Sequence, residues 1–66
     1  MINFIYDYAK GDKVKIMRTM STVEGTLYEG TIVKVTQVGF PDKDLEVKDP
    51  VGKLWYVDFG DVEKLK

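Results

Sequence analysis

The sequence predicts an all-β domain: five short strands forming a small, partly open barrel. Three observations carry this. Short runs of branched and aromatic residues alternate with polar ones, as half-buried strands do. Turn signals built on Gly, Asp and Pro punctuate the chain at short intervals. No stretch shows helical periodicity over a useful length. The best specified element is a hairpin over residues 43–58, and the other strands are organised around it.

Two apolar-rich runs flank Asp49-Pro50-Val51-Gly52. Pro presets φ for the first turn position, and Gly accepts a positive φ. The expectation is a loop of Pro50, Val51 and Gly52, with Gly52 as the left-handed bulge residue. Asp49 then lies opposite Lys53, Val47 opposite Trp55 and Leu45 opposite Val57. Leu45, Val47, Trp55 and Val57 share one face, while Glu46, Lys48, Leu54 and Tyr56 share the other. A slip by one residue would set Trp55 beside Glu46, so the register is well specified. Trp55 reads as a core anchor. Leu54 and Tyr56 fall on the face that should be polar.

The other elements follow in order. Residues 1–10 alternate Ile2, Phe4, Tyr6 and Tyr8 with Asn3, Ile5 and Asp7, which fits a strand or extended arm. A short helix is the alternative. Lys10-Gly11-Asp12 is a turn. Residues 13–18 form a strand with Val14 and Ile16 inward and Lys13, Lys15 and Arg18 outward. Residues 19–29 read as a polar loop folded back on itself. Residues 30–38 are the most β-prone segment. Their alternation is imperfect, so Ile32 and Val35 are both expected inward, with a bulge near Val33-Lys34 that bends the strand. Gly39-Phe40-Pro41-Asp42 is a turn. Asp58-Phe59-Gly60-Asp61 is a tight turn of 3₁₀ type, and residues 62–65 close the sheet with Val62, and less firmly Leu65, inward. The expected core is Val14, Ile16, Ile32, Val35, Leu45, Val47, Trp55, Val57 and Val62.

The 66 residues make one domain. A chain of this size buries only about 60% of its unfolded surface. With no Cys it has no disulfide to help, so a homo-oligomer or a partner is a reasonable expectation. The absence of His as well removes the usual zinc ligands. Ten basic and eleven acidic residues give a net charge of -1, which disfavours a fold that lives by phosphate binding. Neither a secretory leader nor a run approaching the ~20 apolar residues of a membrane span is visible. The expected location is a cytoplasm, bacterial or that of an infected host cell, with no membrane association.

Catalysis is not expected. Acid–base chemistry near neutral pH usually needs His or a strongly perturbed carboxylate or Lys. Ser21, the only serine, has no base nearby in sequence. Asp42, Asp44, Glu46 and Asp49 cluster, but their spacing matches no calcium loop. Lys43, Lys48 and Lys53 interleave with them, which reads as a solvated mixed-charge face. No phosphate-loop pattern follows Gly25 and Gly30. No metal and no cofactor are therefore expected.

From Lys10 to Leu65 the chain resembles the SH3-like small barrels. The residues that carry this are Gly11-Asp12-x-Val14-x-Ile16, Gly30-x-Ile32-x-x-Val35, Leu45-x-Val47, the stretch from Gly52 to Val57, and Asp61-Val62-Glu63-x-Leu65. The pattern is similar to KOW-type and related bacterial or phage domains. The resemblance implies modules that bind RNA, DNA or other proteins. Two narrower echoes are present. Phe4-Ile5-Tyr6-Asp7-Tyr8 resembles the tyrosine motif of eukaryotic SH3 domains, although no paired Trp follows it. Val57-Asp58-Phe59-Gly60-Asp61 resembles the Tudor signature, with Asp61 where Asn is usual.

The chain has one Trp, four Tyr and three Phe, more aromatics than a barrel this small can bury. The first expectation is a protein-binding surface centred on Tyr56 and Leu54, with Tyr28, Phe40 and Phe59 at its rim. By the resemblance, this would be a non-catalytic interaction module, such as a small phage-type accessory or host-modulating factor. The second is KOW-like nucleic-acid binding in transcription or translation. Its footprint would be Lys13, Lys15, Arg18 and Lys34, with Tyr28 or Tyr56 stacking on bases.

Overall fold

The computed structural model describes residues 8–39 and 43–65. Their architecture is all-β. Strands β1 (Lys13–Ile16), β4 (Ile32–Val38), β5 (Leu45–Lys48), β6 (Leu54–Val57) and β7 (Val62–Lys64) form one antiparallel sheet of order β6-β5-β4-β1-β7. Strands β2 (Met20–Thr22) and β3 (Gly25–Leu27) make a separate two-stranded ribbon. The sheet is not closed into a barrel, since β6 and β7 are its two edges. Of residues 1–10, only Tyr8, Ala9 and Lys10 are described, so the expected N-terminal strand or arm lies largely outside the described residues, as does Phe40.

The β5–β6 hairpin has the expected register, Leu45 opposite Val57 and Val47 opposite Trp55. Its loop is closed by Gly52 N–H on the Asp49 carbonyl at 2.9 Å, and Gly52 holds a φ of 93°. Asp49 organises the turn. Its Oδ1 accepts Val51 N–H at 3.0 Å and Lys53 N–H at 2.9 Å, and its Oδ2 accepts the Trp55 indole N–H at 3.0 Å. The buried indole thus has its donor satisfied, as a core Trp requires.

Alternation places Val14, Ile16, Val35, Leu45, Val47, Trp55, Val57 and Val62 in the core as expected. Strand β4 departs from expectation. Val33 is 2% exposed and Ile32 is 40% exposed, so Ile32 is not a core residue. Plain period-two alternation runs through Val33 and Val35. The bulge comes later, at Thr36, between the pairs Val35–Val47 and Gln37–Glu46. The extra residue changes the phase of the strand. It brings Val38 opposite Leu45 and against the core. The Thr36 hydroxyl sits at the bulge, 3.1 Å from the Glu46 carbonyl and nearer still, at 2.8 Å, to Glu46 Oε1. Leu65, expected inward less firmly, is exposed.

Residues 19–29 are also corrected: they are a hairpin ribbon rather than an irregular loop. Met20 pairs with Leu27 and Thr22 with Gly25, and Leu27 is buried with the core. A Cβ on Gly25 would lie 3.2 Å from the Lys53 ammonium and 4.0 Å from the Trp55 ring. Lys53 also donates to the Glu24 carbonyl and sits 4.5 Å from the Trp55 ring centroid. The ribbon is latched by these contacts to the start of β6.

The turn after β6 is one turn of 3₁₀ helix, Phe59–Asp61. Asp61 is buried, and its charge is fully engaged. Arg18 approaches Oδ1 with Nε at 2.9 Å and a terminal nitrogen at 2.8 Å, while Asp58 N–H donates to Oδ2 at 3.1 Å. This pair staples the segment after β1 to the turn ahead of β7.

Candidate interaction face

The inner face of the sheet is the core, so the outer face of β1, β4, β5 and β6 is where the sequence has freedom. Three parallel rows of side chains cross it. Residues opposite one another on adjacent strands share a face. In the first row Tyr56 lies opposite Glu46, which lies beside Thr36. In the second, Leu54 lies opposite Lys48, Lys48 opposite Lys34, and Lys34 opposite Lys13. In the third, Ile32 lies opposite Lys15, and Lys15 opposite Glu63.

Tyr56 and Leu54 are 50% and 43% exposed, on the same side of β6. The Tyr56 hydroxyl donates to Glu46 Oε2 at 2.8 Å, and the Thr36 hydroxyl donates to Glu46 Oε1 at 2.8 Å. One carboxylate therefore orients the ring and pins the bulge. The Glu46 hydrogen bond also pushes the Tyr56 phenol pKa up, because ionisation would lose that bond and bring two negative charges together. Tyr56 stays a hydrogen-bond donor throughout the physiological range.

The remaining expected surface residues are dispersed. Tyr28 is exposed in the turn between β3 and β4. Phe59 is half-buried and stacks on Tyr8, ring centroids 5.3 Å apart. That is the one close ring pair among the described residues, and Tyr28, Phe59 and Tyr56 do not form a single aromatic cluster there. An open cage of the Tudor kind needs uncovered ring faces, and Phe59 already spends one of its faces on Tyr8.

The basic footprint is redrawn by the structure. Arg18 is held by Asp61, and Lys15 lies 4.0 Å from Glu63. Lys13 and Lys34 do stand together, directly opposite, and Lys48 extends them. Sequence reasoning missed Lys48 as a member of this group. The outward alternation of residues 43–49 contained the signal, but the order of the strands did not. A groove of about 350 Å³ runs along this row, lined by Lys13, Ile32, Lys34, Thr36, Lys48 and Pro50 among others. Among the described residues no group of acidic side chains is arranged to hold a metal, and no helix is long and apolar enough to cross a membrane.

Comparison with known protein families, curated proteins and solved structures finds no match to this chain.

Proposed function

We propose that this chain is a non-catalytic protein-binding module of SH3-like type, working through the outer face of β5 and β6 around Tyr56 and Leu54. The observation that carries the reading is the division of labour along β6. Trp55 and Val57 are buried and supply its packing, whereas Leu54 and Tyr56 are exposed side by side. Tyr is among the residue types that dominate interface hot spots, and Leu54 extends its exposed apolar surface. The bent β4 and the return of the last strand to the first support an SH3-like, KOW-like reading of the sheet. The sequence has no His and no Cys, which supports a binding role over a catalytic one. A small phage-type accessory factor acting in a bacterial or host cytoplasm fits this size and chemistry.

The test separates binding from folding. A pull-down from a host lysate, with and without nuclease, uses the wild-type chain, Tyr56→Ala and Trp55→Ala. Trp55→Ala is expected to cost roughly 3–5 kcal/mol of stability. Tyr56→Ala is expected to melt near the wild type yet to lose a nuclease-resistant partner, with affinity reduced roughly tenfold or more. The KOW-like reading rests on Lys13 standing opposite Lys34. It requires instead that nuclease abolish capture and that binding fall steeply with salt.

A further inference from the structure

From the row Lys13–Lys34–Lys48 we infer that the outer face binds a short acidic, extended segment of a partner protein, laid across β1, β4 and β5; this deepens the module reading and rests on it. Adjacent antiparallel strands lie roughly 4.8 Å apart, so the three lysines span roughly 10 Å. Like charges directly opposite one another on neighbouring strands oppose sheet formation. Elsewhere lysines have carboxylate partners: Lys15 lies 4.0 Å from Glu63, and Lys43 and Lys64 each lie 3.6 Å from a carboxylate, Asp58 and Asp12 in turn. In this row no described carboxylate makes an ion pair with any of the three. Asp49 lies at the end of the groove, but its oxygens are taken by Trp55, Val51 and Lys53.

The flanks of the row decide the class of ligand. Leu54 ends the row on β6, while Tyr56 and Ile32 stand in the rows on either side, all exposed. The same two side rows hold the carboxylates Glu46 and Glu63, each already paired within the sheet. A nucleic-acid backbone carries a charge at every residue, and along this row it would have Glu46 and Glu63 at its sides and the apolar Leu54 at its end. An extended peptide places alternate side chains roughly 7 Å apart. Two carboxylates two positions apart therefore sit over the lysine row. An apolar residue at the end that reaches β6 meets Leu54 and Tyr56. The complementary sequence is acidic where it crosses β1, β4 and β5 and apolar at the end that reaches β6.

The experiment is a titration of the full chain, followed by fluorescence anisotropy, with three labelled probes. One is a short peptide with glutamates at alternate central positions and leucines at its ends. The second has glutamine in place of each glutamate, and the third is an oligothymidylate of equal length. The glutamate peptide is expected to bind, and the glutamine peptide to bind roughly tenfold or more weakly. Lys34→Glu is expected to abolish binding, while Lys10→Glu, outside the row, leaves it intact. Melting curves confirm folding, and Lys34→Gln serves if Lys34→Glu does not fold. Equal binding of the two peptides, binding of neither, or tighter binding of the oligothymidylate through Lys34 overturns the inference. If the peptide fails while a Tyr56-dependent protein partner is still captured, the inference falls and the module reading stands. If the peptide binds through the lysines but ignores Tyr56→Ala and Leu54→Ala, the acidic-segment site stands and the Tyr56-centred reading falls.

Discussion

At the residue scale the most consequential polar side chain is Asp49. Its carboxylate gathers the Trp55 indole N–H and two backbone N–H groups of the loop, so one ionised group fixes both the turn and the core Trp. The Trp55 hydrogen bond, ahead of the backbone donors at Lys53 and Val51, holds the Asp49 carboxyl below its ordinary value. A carboxyl whose pKa is depressed on folding stabilises the native state above its unfolded pKa, about 3.9. That contribution is lost as the pH falls through the folded value. Asp49→Asn is therefore expected to lower the melting temperature at neutral pH, and the gap from wild type should close below about pH 3.9. A gap that is the same at all pH values would mean that the Asp49 charge does not matter to the turn. The role of Asp49 was half legible. The turn chemistry of Asp49-Pro50-Val51-Gly52 is local and readable, but the indole bond requires knowing that Trp55 folds back along the strand.

At the scale of the element, the β5–β6 hairpin illustrates a local structure written in local sequence. Nothing lies within 4 Å of where a Gly52 side chain would begin, so its positive φ is the sole obstacle to substitution. Gly52→Val is expected to destabilise by more than about 1 kcal/mol through backbone strain, measured as a shifted denaturation midpoint with unchanged slope. The β2–β3 ribbon is the opposite case. Two-residue hairpin turns usually place their central residues at positive φ, with Gly or Asn there. Val23 and Glu24 have no positive φ, and the compensating distortion sits at Gly25, with φ of 143°. No turn signal was therefore visible, and the ribbon read as a loop. In β4 a bulge was expected near Val33-Lys34 to turn both Ile32 and Val35 inward, but Ile32 is exposed and the bulge lies at Thr36. Its position depends on which of two phases the neighbouring strands accept, and β5 decides that by setting Val47 against Val35. The outward rows had the same limit: each lysine was legible as exposed, but their alignment is a property of strand order.

For the whole molecule, the core rests on few side chains. A domain of this length has roughly 3–10 kcal/mol of total stability. Leu45, at the start of β5, is fully buried, and Leu45→Ala is expected to remove roughly 2–5 kcal/mol. That is enough to leave a measurable unfolded population at 25 °C by circular dichroism. Retention of the full native signal and melting temperature would show that Leu45 is not central to the packing.

The pairing of β1 with β7 brings together segments from opposite ends of the chain. Arg18 and Asp61, which fasten that region, are 43 positions apart. Bringing such distant segments together carries a larger loop-closure entropy than joining β4, β5 and β6, whose connections are short. Assembly is therefore expected to be ordered in time, with the β4–β5–β6 meander forming early and the β1–β7 seam docking late. Val47→Ala is expected to slow refolding, whereas Val62→Ala should chiefly accelerate unfolding. Stopped-flow measurements across a denaturant series distinguish the two, and equal effects on both limbs would remove the ordering. In that order of events, the seam that completes the sheet is also where opening is expected to begin.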